Sequence, residues 1–312
     1  MSSLEDYHNK TFASVQERTR LRRVSKLLRN WVCGALALGI IASGRVGRAR
    51  KRALRGDVVT AIYFHKPNNS LFAGCVRWLI KHGYTFITEN DLVAMLYQGK
   101  TPPKGAVWLS FDDGCKELLE YVLPLVHQYG VPVTLFIPTG IVEGDGIFPW
   151  SYEKSTRPSD ARARNAITVA ELQQISKDYP RVTIGSHTVS HAVTSHLTRD
   201  KLVFELGESK RALESWLDTD IKSFAYPVGH YNGHEKRFLA ELGYHMAATT
   251  ENALIHPKTD PYLVPRFSVA DEISLPEAIC NMVGVWRPAI DPIIRLQRRF
   301  QQVPECPKGA PP

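Results

Sequence analysis

Ala106-Val107-Trp108-Leu109-Ser110-Phe111-Asp112-Asp113-Gly114 is an apolar run that ends on two adjacent carboxylates and a glycine. The run reads as a buried strand. Side chains alternate across a strand, but where the chain turns at its end two neighbours can face one mouth. One carboxylate can then hold a cation while the other serves as a base. Asp and Gly are also ordinary turn residues, so a cap or a turn is the competing reading. A second stretch shifts the balance towards chemistry.

Arg181-Val182-Thr183-Ile184 is again strand-like and runs into Gly185-Ser186-His187-Thr188-Val189-Ser190-His191. Histidines at i and i+4 share one face if the segment turns helically, a common way to grip one divalent ion. Asp113, His187 and His191 then form a three-ligand set with positions left open for water and substrate. Zn²⁺ is the ion expected for two nitrogens and one carboxylate, and Co²⁺ or Ni²⁺ suits the same donors.

These motifs resemble those of the polysaccharide deacetylase family (the chitooligosaccharide deacetylase homology domain, carbohydrate esterase family four). Ser110 to Gly114 matches the family's Thr/Ser-Phe-Asp-Asp-Gly, and His187 to His191 matches His-Ser/Thr-x-x-His. Phe224-Ala225-Tyr226-Pro227-Val228-Gly229 matches an aromatic-Pro-x-Gly motif. The likeness runs in order over residues 58 to 270 and includes Phe204-Glu205-Leu206 with Ser209-Lys210, and Leu263 to Arg266. Phe64-His65 at the end of the first strand is similar to the branch that acts on poly-N-acetylglucosamine.

The resemblance implies an α/β fold, a distorted and incomplete (β/α) barrel. It also implies roles: Asp112 as base, Asp113 as metal ligand, and the backbone N–H of Tyr226 as oxyanion donor. His65 is the expected general acid. Typical members carry an Arg at the start of the third motif, where this chain has Lys222-Ser223. Arg266 is expected to orient Asp112 instead, with a purely structural salt bridge as the alternative. Leu254-Ile255-His256 superficially fits the late motif from which other members take their acid, but Pro257 follows in a polar stretch and His256 reads as a loop residue.

The net charge of +8 is unevenly spread. Residues 17 to 56 hold twelve Arg and Lys against Glu17 alone, so +11 of the +8 total lies there and −3 is left for the rest. A catalytic body without its own basic excess does not point to nucleic acid. Inside the basic segment, Trp31 to Ala42 is uncharged but shorter than the about 20 residues that span a bilayer. It suits a signal-peptide core, a helix packed on the barrel, or a helix lying on an anionic membrane surface. The five cysteines show no metal spacing and no disulfide framework.

From residue 58 strands and helices alternate, which implies parallel strands covered by helices. Helices are expected over Leu71–His82, Asp91–Tyr97, Lys116–Tyr129, Val169–Lys177 (capped by Thr168 with Glu171), Arg199–Leu217 and Glu235–Leu242. The segment 141–166 reads as a functional loop. Three regions follow: a basic N-terminal segment 1–56, a catalytic domain 57–275, and a C-terminal helix with a Pro-rich tail over 276–312. The expected activity is metal-dependent hydrolysis of N-acetyl groups on an amino-sugar polysaccharide, oligosaccharide or glycolipid. An O-acetyl sugar esterase and a non-catalytic glycan-binding barrel are the alternatives. The expected partners are an acetylated glycan and, through residues 17–56, a membrane surface, and the expected location is the cell envelope.

Overall fold

The computed structural model describes residues 24–150 and 164–292. Two helices lead in, α1 (Val24–Ala42) and α2 (Arg45–Ala53). Then follow β1 (Thr60–Phe64), α3 (Asn69–Lys81), β2 (Thr85–Phe86), α4 (Glu89–Gln98), β3 (Ala106–Phe111), α5 (Glu117–Tyr121), α6 (Leu123–Tyr129), β4 (Val133–Ile137) and α7 (Thr139–Glu143). The chain continues through α8 (Val169–Asp178), β5 (Val182–Ser186), α9 (Arg199–Leu217), β6 (Ser223–Ala225), α10 (Glu235–Glu241), β7 (Met246–Ala248), β8 (Phe267–Ser268) and α11 (Leu275–Met282). The Pro-rich tail and residues 151–163 of the loop 141–166 lie outside the described residues.

All pairings are parallel, in the order β7-β6-β5-β4-β3-β1-β8, with β2 beside β3. Between β7 and β8 a single bridge, Ala248 to Val264, stands in for a strand pair. The sheet is therefore a curled, incompletely closed barrel, as expected from the resemblance. Arg266 sits in this seam, between the residue that bridges β7 and the strand that pairs β1.

Period-2 alternation sorts the strands into two layers. Val107, Leu109 and Phe111 join Val133, Leu135 and Ile137 in the core between sheet and helices. Ala106, Trp108 and Phe136 belong to a second cluster inside the barrel. Gly185 on β5 allows this filling, because a Cβ there would lie 2.6 Å from the Phe136 ring. Thr168 and Glu171 form the anticipated capping box on α8. The helix expected over Lys116–Tyr129 is instead broken into α5 and α6 at Val122, where Pro124 supplies no N–H for a continuous ladder.

The barrel interior also holds Glu89, which is buried. Its Oε2 accepts from Ser223 Oγ (2.7 Å), Thr134 Oγ1 (3.3 Å) and Thr183 Oγ1 (3.4 Å). Burial pushes its carboxyl up to about 7, with those three hydroxyls opposing the rise. The folded state therefore favours the protonated acid. Stability is full below the ordinary value near 4.5 and is lost as pH rises through about 7. The expected loss between pH 5 and 8 is about 2–3 kcal/mol. Glu89→Gln should remove that slope in denaturant unfolding at the two pH values. An unchanged slope would show that Glu89 titrates normally.

Candidate metal centre and active site

Trp108, Ser110 and Asp112 are in phase on β3, so the row that fills the barrel ends in Asp112 at its carboxyl-end mouth. The strand ladder extends that far, since Asp112 N–H donates to Phe64 O at 3.0 Å. Simple alternation would turn Asp113 to the other layer. It does not, because Asp113 adopts φ 73° and Gly114 follows at φ 67°. This turn brings both carboxylates to one cavity of about 620 Å³.

The two histidines reach the cavity differently from the helical turn expected for them. After β5 the chain forms an irregular loop in which Thr188 (φ 66°) and His191 (φ 60°) lie in the left-handed region. Such residues cost about 1–3 kcal/mol each and persist only where the surroundings hold them. Glu205 of α9 supplies the hold: Oε2 accepts from Val189 N (2.8 Å) and Ser190 N (2.9 Å), and Oε1 accepts from Ser190 Oγ (2.6 Å). Two further bonds run from Thr139 N to Thr188 O and from Gly140 N to Val189 O.

Asp113 Oδ1 lies 3.6 Å from His187 Nε2 and 3.4 Å from His191 Nε2, and is buried without a hydrogen-bond partner. His187 Nδ1 is 2.8 Å from Ala225 O. A carbonyl only accepts, so Nδ1 carries a proton, and in the neutral ring Nε2 then presents a lone pair towards Asp113. An acceptor facing an acceptor in a buried site lacks a positive charge between them. The donor set therefore fits a divalent cation, with the Ala225 carbonyl fixing the tautomer of one ligand. Among the described residues this is the one His/Cys/Asp/Glu group so arranged.

Asp112 makes the second half of the site. Arg266, itself fully buried, grips it as a fork: Nη1 to Oδ1 and Nη2 to Oδ2, both at 2.8 Å. Nη1 also donates to Ser110 Oγ (2.9 Å) and Nε to Thr249 O (3.0 Å). The guanidinium lies over the Tyr63 ring, 4.5 Å from its centroid. Burial alone would raise the carboxyl of Asp112, but Arg266, together with the nearby His187 and His65, holds the group below the ordinary carboxylate range. Asp112 is thus an ionised carboxylate with one face committed to Arg266.

His65 is half-buried and lines the same cavity, with its ring edge-on to Tyr63 at 5.6 Å. His256 is exposed in a loop away from it and does not line it. Tyr226 requires a correction. Its N–H donates to Ala248 O at 3.0 Å within the sheet and its hydroxyl to Tyr262 O, so that amide is already committed. Two residues on, Val228 lines the cavity at φ 59°, and its N–H donates to no group among the described residues. A β-branched residue in the left-handed region is strained, so the surrounding structure must hold this turn. Sequence reading also passed over Trp150, stacked on Phe148 (5.0 Å) and packed against His191 (4.5 Å between centroids). Its signal was an aromatic pair in the loop already read as functional.

The polysaccharide deacetylase family pattern matches residues 99–247, which carry both carboxylates, both histidines and the Tyr-Pro-Val-Gly turn. Over those residues the chain matches the polysaccharide deacetylase family. A poly-beta-1,6-N-acetyl-D-glucosamine N-deacetylase of Staphylococcus aureus is 25% identical over 215 residues, covering 67% of this chain and 69% of that one. YxkH of Bacillus subtilis is 25% identical over 203 residues, 65% of either chain. The chain thus spans about two thirds of the length of the curated relatives it matches. Among solved structures, Streptococcus pyogenes deacetylase PplD superposes with TM-score 0.60 at 20% identity, covering 72% of this chain and 98% of that one. IcaB from Ammonifex degensii gives 0.61 at 18%, covering 73% and 98%. At these identities the two structures establish the fold.

Proposed function

We infer that this chain is a metal-dependent hydrolase that removes N-acetyl groups from an amino-sugar glycan of the poly-N-acetylglucosamine type. The observation that carries the reading is an ionised, Arg-gripped carboxylate, Asp112, beside the converging Asp113, His187 and His191, in one open cavity. The likeness to the Staphylococcus aureus enzyme supports the substrate class. Asp113, His187 and His191 would hold the ion, with Zn²⁺ the best match to two imidazoles and a carboxylate. Once bound, it supplies Lewis acidity for an acetamide carbonyl.

The chain's own groups do the proton work. Asp112 accepts the proton of the attacking water, and its grip by Arg266 fixes where that acceptor points. The N–H of Val228 is the donor suited to the developing oxyanion. His65 gives a proton to the departing amine, since an imidazole titrates near neutrality. Trp150, packed on His191, offers a flat apolar wall to a sugar ring. A substrate of this kind places the enzyme in the cell envelope.

Acetate release from N-acetylated and O-acetylated oligosaccharides, with and without chelator, tests the reading. Release from the N-acetylated substrate that chelation abolishes is expected. Release from the O-acetylated one alone would make the enzyme an esterase, and none from either would leave a glycan-binding barrel. In the same assay His65→Ala should keep its metal but fall by about 10²–10⁴, the span for loss of a general acid. His256→Ala should match the parent protein. The opposite pattern would move the acid to His256.

A further inference from the structure

Among the described residues, α1 is apolar on two sides and covered on only one. One side docks on the catalytic body: Ala37 is fully buried, Cys33, Ile40 and Ile41 pack on the main core, and a Cβ at Gly34 would lie 3.2 Å from Ser274 Oγ. Polar contacts fix the docking. Arg29 grips Glu277 of α11 through Nη2 to Oε1 (2.6 Å) and Nη1 to Oε2 (2.9 Å), Lys26 pairs with Glu272, and Asn30 Nδ2 donates to Glu272 O (2.8 Å). The opposite side carries Leu27 (70% exposed), Leu28 (62%), Trp31 (73%), Val32, Leu36 and Leu38 with no charge among them. An exposed apolar face of this kind marks an interaction surface.

The charge beside it indicates what covers it. The shallow groove along this outer face, from Trp31 to Ile40, ends at Arg45, the first residue of α2. Arg45, Arg48, Lys51 and Arg52 of α2, and Arg55 just after it, are all exposed, and none pairs with an acid among the described residues. Leu and Trp on one face with a row of bare cations at its end is the composition of a helix lying in an anionic lipid interface.

We propose that α1 is an in-plane anchor that seats the enzyme on an anionic bilayer surface, with its outer face in the lipid and its inner face still docked on α11. The helix, described over 19 residues, is long and apolar enough to cross a membrane by length and composition. Crossing would strip Arg29 from Glu277, whose side chain is 2% exposed, and leave a buried carboxylate unpaired. Glu272, where α1 docks, follows Asp271, which lines the active-site cavity. Seated this way, the enzyme works on glycan at the membrane surface. The anchor itself does not depend on the proposed reaction.

The test is co-flotation of the purified full chain with vesicles of phosphatidylcholine alone or mixed with phosphatidylglycerol. The chain should float with the mixed vesicles and be released by alkaline carbonate. The L28E/W31E variant should stay behind while its melting temperature is unchanged, because both positions are exposed. R48Q/K51Q should bind more weakly by about fivefold per residue. Failure of the chain to float, or flotation unchanged in L28E/W31E, overturns the anchor, and resistance to carbonate replaces it with a spanning helix. A dimer in light scattering that L28E/W31E converts to monomer, with vesicle binding unaltered, would make the face a contact between two copies of this chain.

Discussion

Asp113→Ala is expected to abolish both stoichiometric binding of a divalent ion and acetate release. On the proposed assignment three protein ligands would become two, and the lost one would be the only anion of the set. Without it the two imidazoles face each other across a cavity that no longer offsets a cation's charge. The Lewis-acid contribution at stake is several kcal/mol, so turnover should drop by about 10³ or more. His187→Ala should behave alike, with the added loss of the bond to Ala225 O that aims the ring. Metal content measured on the purified variants, beside their activity, checks the assignment. If either variant retains full metal and full turnover, the ligands lie elsewhere.

The barrel was readable because its strands are short apolar runs between turn signals. The long helix Arg199–Leu217 was read at the bounds the structure gives it. Where the reading failed, a local pattern met a tertiary constraint. The His187–His191 spacing matches a helical turn, yet Glu205, contributed by α9, holds that segment as a loop with two left-handed residues. No local signal distinguishes these two ways of converging imidazoles. Tyr226 was singled out by its place in a motif, but whether an amide is free depends on the neighbouring strand, and Ala248 O had claimed it. β8 is two residues long and could not show a period. Glu89 carries no motif at all, and its burial follows from where Ser223, Thr134 and Thr183 lie on three separate strands.

Arg266 and Asp112 should be separable by a double-mutant cycle. Asp112→Asn is expected to keep its metal, since Asp113 is the proposed ligand, while turnover falls by about 10²–10⁴. Arg266→Met leaves a buried carboxylate without its fork partner, which costs about 3–5 kcal/mol of stability. It also frees Asp112 from the one geometry in which Nη1 and Nη2 hold both its oxygens. Arg266→Lys should recover part of the stability but little of the turnover, because an ammonium cannot form the paired bonds. The combined variant decides the role. If Arg266 acts only by positioning Asp112, Arg266→Met removes no further turnover once Asp112 is Asn, and the two stability losses add to less than their sum because no lone charge is left buried. If the turnover losses multiply instead, Arg266 touches the reacting atoms itself and belongs among the catalytic residues.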